Sequence, residues 1–206
     1  MLKELFEGNF YITYPKISEK VLLLNEWTRT GDFYLTDDNA CRDCEHICCD
    51  DPNEREQMKV MAEVPVNIIS IDQVVSYVKE DIGMSCDFML DDTNMTALVE
   101  MTCSTTKYVV DKRQTARRQL YNTLCILYLN PIIREHIEKH AFRYVVFSWK
   151  DTIDDSRDPQ ENDWVEKNMI GMTMMPDIVY SPDNESRFDF DFKLKEIRYP
   201  YPFVCR

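Results

Sequence analysis

The stretch CDFMLDDTNMTALVEMTC, from Cys86 to Cys103, constrains the fold more than any other part of this chain. It reads as two short strands joined by a turn, because DDTN carries the Asp and Asn side chains that satisfy turn backbone. Side chains alternate along a strand. Cys86, Phe88 and Leu90 therefore share one face of the first strand, and Asp87, Met89 and Asp91 share the other. On the second strand, Leu98, Glu100 and Thr102 oppose Val99, Met101 and Cys103. Apolar residues on both faces call for cover on both sides, which places the pair inside a layered α/β domain. Asp87 and Glu100 then bring two carboxylates onto adjacent strands.

Helical patterns surround this pair. In SIDQVVSYVKED, Ser70 and Gln73 make a capping-box pattern, and Ile71, Val74, Val75 and Val78 form one apolar stripe. In DKRQTARRQLYNTLCILYLN, Ala116, Leu120, Leu124 and Leu127 recur at helical spacing. Asn130 and Pro131 then suit an N-cap and a first helical residue, restarting a helix at PIIREHIEKH. FRYVVFSW reads as a strand. In RFDFDFKLKEI, Phe188, Phe190, Phe192 and Leu194 alternate with charges, a strand with one buried face. NFYITY, DFYL and MIGMTMMPDIVY also read as strands, SEKVLLLNEW fits either element, and DTIDDSRDPQEND is an acidic loop. The expected organisation is a single domain over 1–206, with a Cys-cluster loop at 41–49, a core at 66–150, and the acidic loop and C-terminal strands at 151–206.

Composition narrows the function. With four glycines and neither a Walker pattern nor a dinucleotide fingerprint, glycine-rich phosphate loops are not expected. MLKELFEGNF lacks the apolar centre of a secretory signal, and runs such as VLLL are too short to span a bilayer. A cytoplasmic protein without membrane contact is expected, its eight cysteines serving as reduced thiols, metal ligands or buried small residues. The net charge of −13 opposes non-specific nucleic-acid binding. It is unevenly spread: between Lys107 and Lys150 nine Lys and Arg face three acids, a surplus of six that leaves −19 elsewhere. The basic segment offers a nucleic-acid face, or simply a solvated helix, and the acidic remainder offers a surface for a protein partner.

The order helix, strand, strand, helix, strand, with acids on the two adjacent strands, resembles the PD-(D/E)XK nuclease superfamily over about residues 66–150. CDFML stands where that family has its Pro-Asp strand, and VEMT where it has Glu-x-Lys. The resemblance implies a restriction-endonuclease-like mixed β-sheet flanked by helices, here with an N-terminal Cys-cluster element and a C-terminal β extension. It implies hydrolysis of phosphodiesters with Mg²⁺ or Mn²⁺, as in a defence or mobile-element system. Asp87 and Glu100 would be the metal ligands, with Asp91 an auxiliary acid, since carboxylate oxygens are hard ligands for these ions. Such an ion acidifies a bound water and stabilises charge developing on phosphoryl oxygens. Thr102 occupies the place of the family lysine, so Lys107 or Lys112 would have to supply the missing positive charge. Gln114-x-x-x-Arg118 and Arg117-x-x-x-Tyr121 overlap a Gln-x-x-x-Tyr pattern that some of these nucleases carry on the next helix. With Arg113, these residues form the expected nucleic-acid contact. The alternative is that Asp87 and Glu100 pair with Arg117 or Arg118 in a fold that no longer cuts. The chain would then be an interaction module, an acidic immunity or inhibitor protein or a complex subunit.

Cys41, Cys44, Cys48 and Cys49 read C-x₂-C-x₃-C-C, with His46 inside. Four thiolates can surround one Zn²⁺ tetrahedrally and stabilise a loop with little core. The pattern is similar to small cysteine-cluster proteins thought to chelate zinc or iron; the alternative is a set of reduced thiols. Cys86, Cys103 and Cys125 are expected in the core. His136 and His140 lie one helical turn apart, but HIEKH lacks the zinc-protease glutamate and reads as a surface pair.

Overall fold

The computed structural model describes residues 2–17, 24–36, 48–49, 57–104, 109–151, 178–180 and 190–205. At its centre stand β4 (Phe88–Asp91) and β5 (Met95–Ser104), antiparallel, with Phe88 opposite Val99 and Asp91 opposite Thr96. Asp92 closes their turn as expected of DDTN: its Oδ1 accepts from the amides of Asn94 and Met95 at 2.6 and 2.7 Å. β5 then runs parallel to β6 (Phe142–Asp151), from Met95 opposite Phe142 to Ser104 opposite Asp151. Parallel neighbours need a crossover that carries the chain back to the starting edge. Two helices supply it, α4 (Val109–Tyr128) and α5 (Pro131–Glu138). Ala116, Leu120, Leu124 and Leu127 are all buried, as their spacing requires.

The joint between the two helices is a single side chain. Asn130 Oδ1 accepts from the amides of Ile132 and Ile133 at 3.0 and 3.1 Å, capping α5 ahead of Pro131. Its Nδ2 donates to the carbonyl of Asn9 at 2.8 Å and to Thr13 Oγ1 at 2.9 Å. The N-terminal segment is thereby locked to the crossover. That segment is helical, not extended as NFYITY suggested: α1 (Leu2–Leu5), a π-helical turn (Phe6–Phe10) and α2 (Tyr11–Thr13). Leu2, Phe6 and Phe10 are four residues apart and all buried, so a helical stripe outweighs the aromatic β-propensity. α3 (Ile71–Ser76) starts at the expected cap, Ser70 accepting from the amide of Gln73, and ends sooner than its sequence pattern.

The remaining strands are β1 (Glu26–Leu35), β2 (Cys48–Cys49), β3 (Met58–Ser70), β7 (Ile178–Tyr180), β8 (Phe192–Arg198) and β9 (Pro202–Cys205). The nine described strands form one mixed sheet in the order β2-β1-β3-β4-β5-β6-β8-β7, with β9 parallel to β3. The C-terminal β extension therefore joins the sheet at two places. β8 keeps the expected alternation, with Phe192 and Leu194 buried.

Two apolar clusters sit on opposite faces. Met89, Leu98, Val145, Phe192 and Leu194 pack with Phe6, Phe10 and the buried residues of α3, α4 and α5. Phe88, Leu90, Ala97, Val99 and Val146 pack instead with Phe33, Met58, Val60 and Phe203, which all lie on strands. The expectation of helices on both faces thus holds for one face only among the described residues. The other is closed by the sheet curling over itself. β1 and β3 shift register between Arg29 and Gly31, where Gly31 takes φ +84°, and the facing Glu63, Val64 and Pro65 are exposed. Such a bulge bends a strand pair. Beyond it, Ser148 Oγ on β6 donates to the carbonyl of Gln57 at 3.1 Å, fastening the folded-over end. The architecture is mixed α/β. No described helix is long and apolar enough to cross a membrane.

The Asn130 joint is open to test. Asn130→Ala removes a helix cap and the tie from the crossover to the N-terminal segment, and should lower unfolding stability by roughly 1–3 kcal/mol. Asn130→Asp keeps the cap oxygen and should fall between the two. Urea unfolding midpoints at unchanged slope provide the measurement.

Candidate functional site

The segment that delivers Asp87 is strapped to α4 by three side chains. Asn122 Nδ2 donates to the carbonyls of Ile82 and Met84 at 3.1 and 2.6 Å, and Gln119 Nε2 to that of Ser85 at 3.1 Å. Thr123 Oγ1 accepts from the Cys86 amide at 2.8 Å. A side chain on Gly83 would press on Asn122 Nδ2 at 3.0 Å, and Gly83 has φ +85°, so glycine is needed for this approach.

Asp87 then hydrogen-bonds through its amide to Val99 O at 3.0 Å, and its Oδ2 accepts from the Met101 amide at 2.6 Å. The contact lands on the residue after Glu100. Both acids are nearly fully buried. Cys86 lies in the helix-side cluster with Met89, not with Phe88, so the alternation expected along CDFML breaks at Asp87. Burial pushes the Cys86 thiol well above its ordinary pKa, and the charges of Glu100 and Asp87 push it further. Asp87 therefore stands beside the strand that carries Glu100, joined to it through the Val99 carbonyl and the Met101 amide.

The other expected site residues are dispersed. Lys112, Gln114 and Arg118 are exposed on α4. Arg113 Nε lies 3.0 Å from Glu196 Oε2, and an Arg117 guanidinium nitrogen 3.4 Å from Glu196 Oε1, so β8 engages both arginines. Tyr121 is half-buried, edge-on to Phe190 at 6.0 Å between ring centres. Lys107, Cys41, Cys44 and His46 lie outside the described residues, and of Cys48 and Cys49 only the backbone, as β2, falls within them. Cys86 is buried as expected, whereas Cys103 is exposed and Cys125 only partly buried.

Asp91 belongs elsewhere. It sits four residues along the strand from Asp87, roughly 13 Å at strand rise, too far to assist the same ion. Its partners are His136 and His140, which are not a surface pair: His140 is buried and His136 half-buried. His136 Nε2 lies 3.1 and 3.2 Å from the two Asp91 oxygens, and His140 Nε2 lies 3.3 Å from Oδ1. The imidazoles are 5.0 Å apart, on one face of α5 and its C-terminal extension. Ligand atoms of all three residues lie within 4.8 Å of one another, a group that can hold a metal ion. The crossover explains the meeting. Phe142 donates to Asn94 O at 3.1 Å as β6 begins beside the β4–β5 turn, so the end of α5 must return to that turn. The one-turn spacing of HIEKH puts both histidines on one helix face; that Asp91 joins them follows only from the parallel β5–β6 pairing.

Asp87 supports the strand pair through the Met101 amide. Asp87→Ala leaves the buried Met101 amide without its acceptor and should cost about 1–3 kcal/mol. Asp87→Asn keeps an oxygen in place and should recover much of that in the same urea titration. No family model matches this chain, and neither a curated protein nor a solved structure shows significant similarity to it.

Proposed function

We propose that this chain is a divergent nuclease-like protein that hydrolyses phosphodiesters with a divalent metal, using Asp87 and Glu100 as the metal carboxylates. The observation that supports the reading is that buried Asp87 accepts from the Met101 amide at 2.6 Å, one residue along β5 from the buried Glu100. The order α3, β4, β5, α4 with α5, β6 supports a nuclease-like core over 66–150. Two carboxylates form a hard oxygen donor set that fits Mg²⁺ or Mn²⁺. Such an ion, when bound, supplies an acidified water and neutralises charge on the phosphoryl group. The Met101 amide fixes the orientation of Asp87. Lys112, Gln114 and Arg118 present an exposed polar and basic edge of α4 to a phosphate backbone. Thr102 carries no charge, so Lys112 or Lys107 takes the role of the family lysine. A structural Zn²⁺ on Cys41, Cys44, Cys48 and Cys49, and residence in the cytoplasm, belong to the same proposal.

A second reading, an acidic interaction module without cleavage, has its own support. Arg113 and Arg117 reach Glu196, and Tyr121 packs on Phe190, so three of the five residues assigned to nucleic acid are engaged within the fold.

Cleavage assays with single- and double-stranded DNA and RNA in Mn²⁺ separate the two readings. The nuclease reading expects activity that Glu100→Ala abolishes and that Lys112→Ala or Lys107→Ala reduces by about 10²–10³. Wild-type protein that cleaves none of these substrates favours the module. Cleavage that survives Glu100→Ala rules out the assigned carboxylates.

A further inference from the structure

We infer that Asp91, His136 and His140 form a mononuclear site for a divalent first-row transition ion, zinc before others, distinct from the Asp87–Glu100 pair. The donor set is two imidazoles and one carboxylate, which suits zinc, iron(II) and their neighbours better than Mg²⁺. The spacing fits as well. Metal–ligand bonds of 2.0–2.2 Å, at tetrahedral or octahedral angles, set neighbouring donors about 3.0–3.4 Å apart. Asp91 Oδ1 lies 3.1 Å from His136 Nε2 and 3.3 Å from His140 Nε2.

The second imidazole is held in the orientation a metal requires. His140 Nδ1 lies 2.9 Å from the backbone carbonyl of His136, an atom that only accepts, so Nδ1 carries the proton and Nε2 points at Asp91. A backbone carbonyl on the far nitrogen is a common way to fix a metal-bound histidine. Nε2 also lies 2.9 Å from the carbonyl of Asp92. Without a metal, a proton on Nε2 would answer that carbonyl and Asp91. The competing occupant is an imidazolium paired with Asp91.

Three protein ligands leave part of the coordination sphere open. Asp91 and His136 line a cleft of about 410 Å³ together with Asn67 and with Leu2, Glu4, Leu5 and Asn9 of the N-terminal helical segment. The vacant coordination positions would face this cleft, giving an exchangeable water or small anionic ligand access to the ion, as at catalytic rather than purely structural zinc sites.

The chain has only three histidines, which makes the test direct. Untagged, ¹⁵N-labelled protein, stripped of metal and titrated with Zn²⁺, should show the Nε2 resonances of His136 and His140 move together while Nδ1 of His140 keeps its proton. His136→Gln and Asp91→Asn should each weaken this binding by roughly 100-fold or more. Glu100→Ala should leave it unchanged, which separates it from the phosphodiesterase reading. Zinc taken up by the cysteine loop would not shift these two rings. Resonances of His136 and His140 that stay in place at saturating Zn²⁺ would overturn the proposal and leave an Asp91–imidazolium pair. Because the shifts are read on wild-type protein, misfolding of a variant does not remove the test.

Discussion

The parallel pairing of β5 with β6 is the constraint on which the rest of the structure depends. Two strands running the same way cannot be joined by a tight turn, so the chain must cross one face of the sheet and return to the edge it left. α4 and α5 make that crossing, and the N-terminal helical segment packs on the same face through Phe6, Phe10 and the Asn130 joint. Helices accumulate there, and the opposite face is left to the curled ends of β1, β3 and β9. A bulge at Gly31 and the Ser148–Gln57 hydrogen bond allow one sheet to serve as two layers.

The same crossover fixes where chemistry can occur. Its outward half, α4, holds residues 82–86 through Gln119, Asn122 and Thr123, and so determines where Asp87 meets the strand carrying Glu100. Its return half, α5, ends at the β4–β5 turn and brings His136 and His140 to Asp91. Two groups of potential ligands therefore stand at opposite ends of the short strand β4. One is carboxylate only and suits hard cations; the other contains imidazole and suits transition metals. Their separation along the strand keeps the two groups apart.

Much of this was legible in the residues. Alternation identified β4, β5 and β8, the apolar stripe of Ala116, Leu120, Leu124 and Leu127 identified α4, and Asn130-Pro131 marked the start of α5. The failures have physical causes. NFYITY is rich in aromatic residues that favour strands, yet the four-residue spacing of Leu2, Phe6 and Phe10 gives a helix a continuous buried stripe. Met58–Ser70 escaped notice because the bend at Glu63–Pro65 interrupts its alternation. Cys86 broke the expected face pattern because the segment before β4 is governed by α4, not by strand pairing. The Asp91–His136–His140 group joins residues 45 and 49 positions apart, and nothing local links them; only the register of β5 against β6 brings them together.

Anomalous scattering from crystals grown with Zn²⁺ tests the central claim most directly, namely that the crossover assembles a metal site at the β4–β5 turn. The prediction is a peak within about 2.0–2.2 Å of His136 Nε2, His140 Nε2 and an Asp91 oxygen, with a further ligand on the cleft side. A map with zinc bound elsewhere and no peak among these three side chains would contradict it.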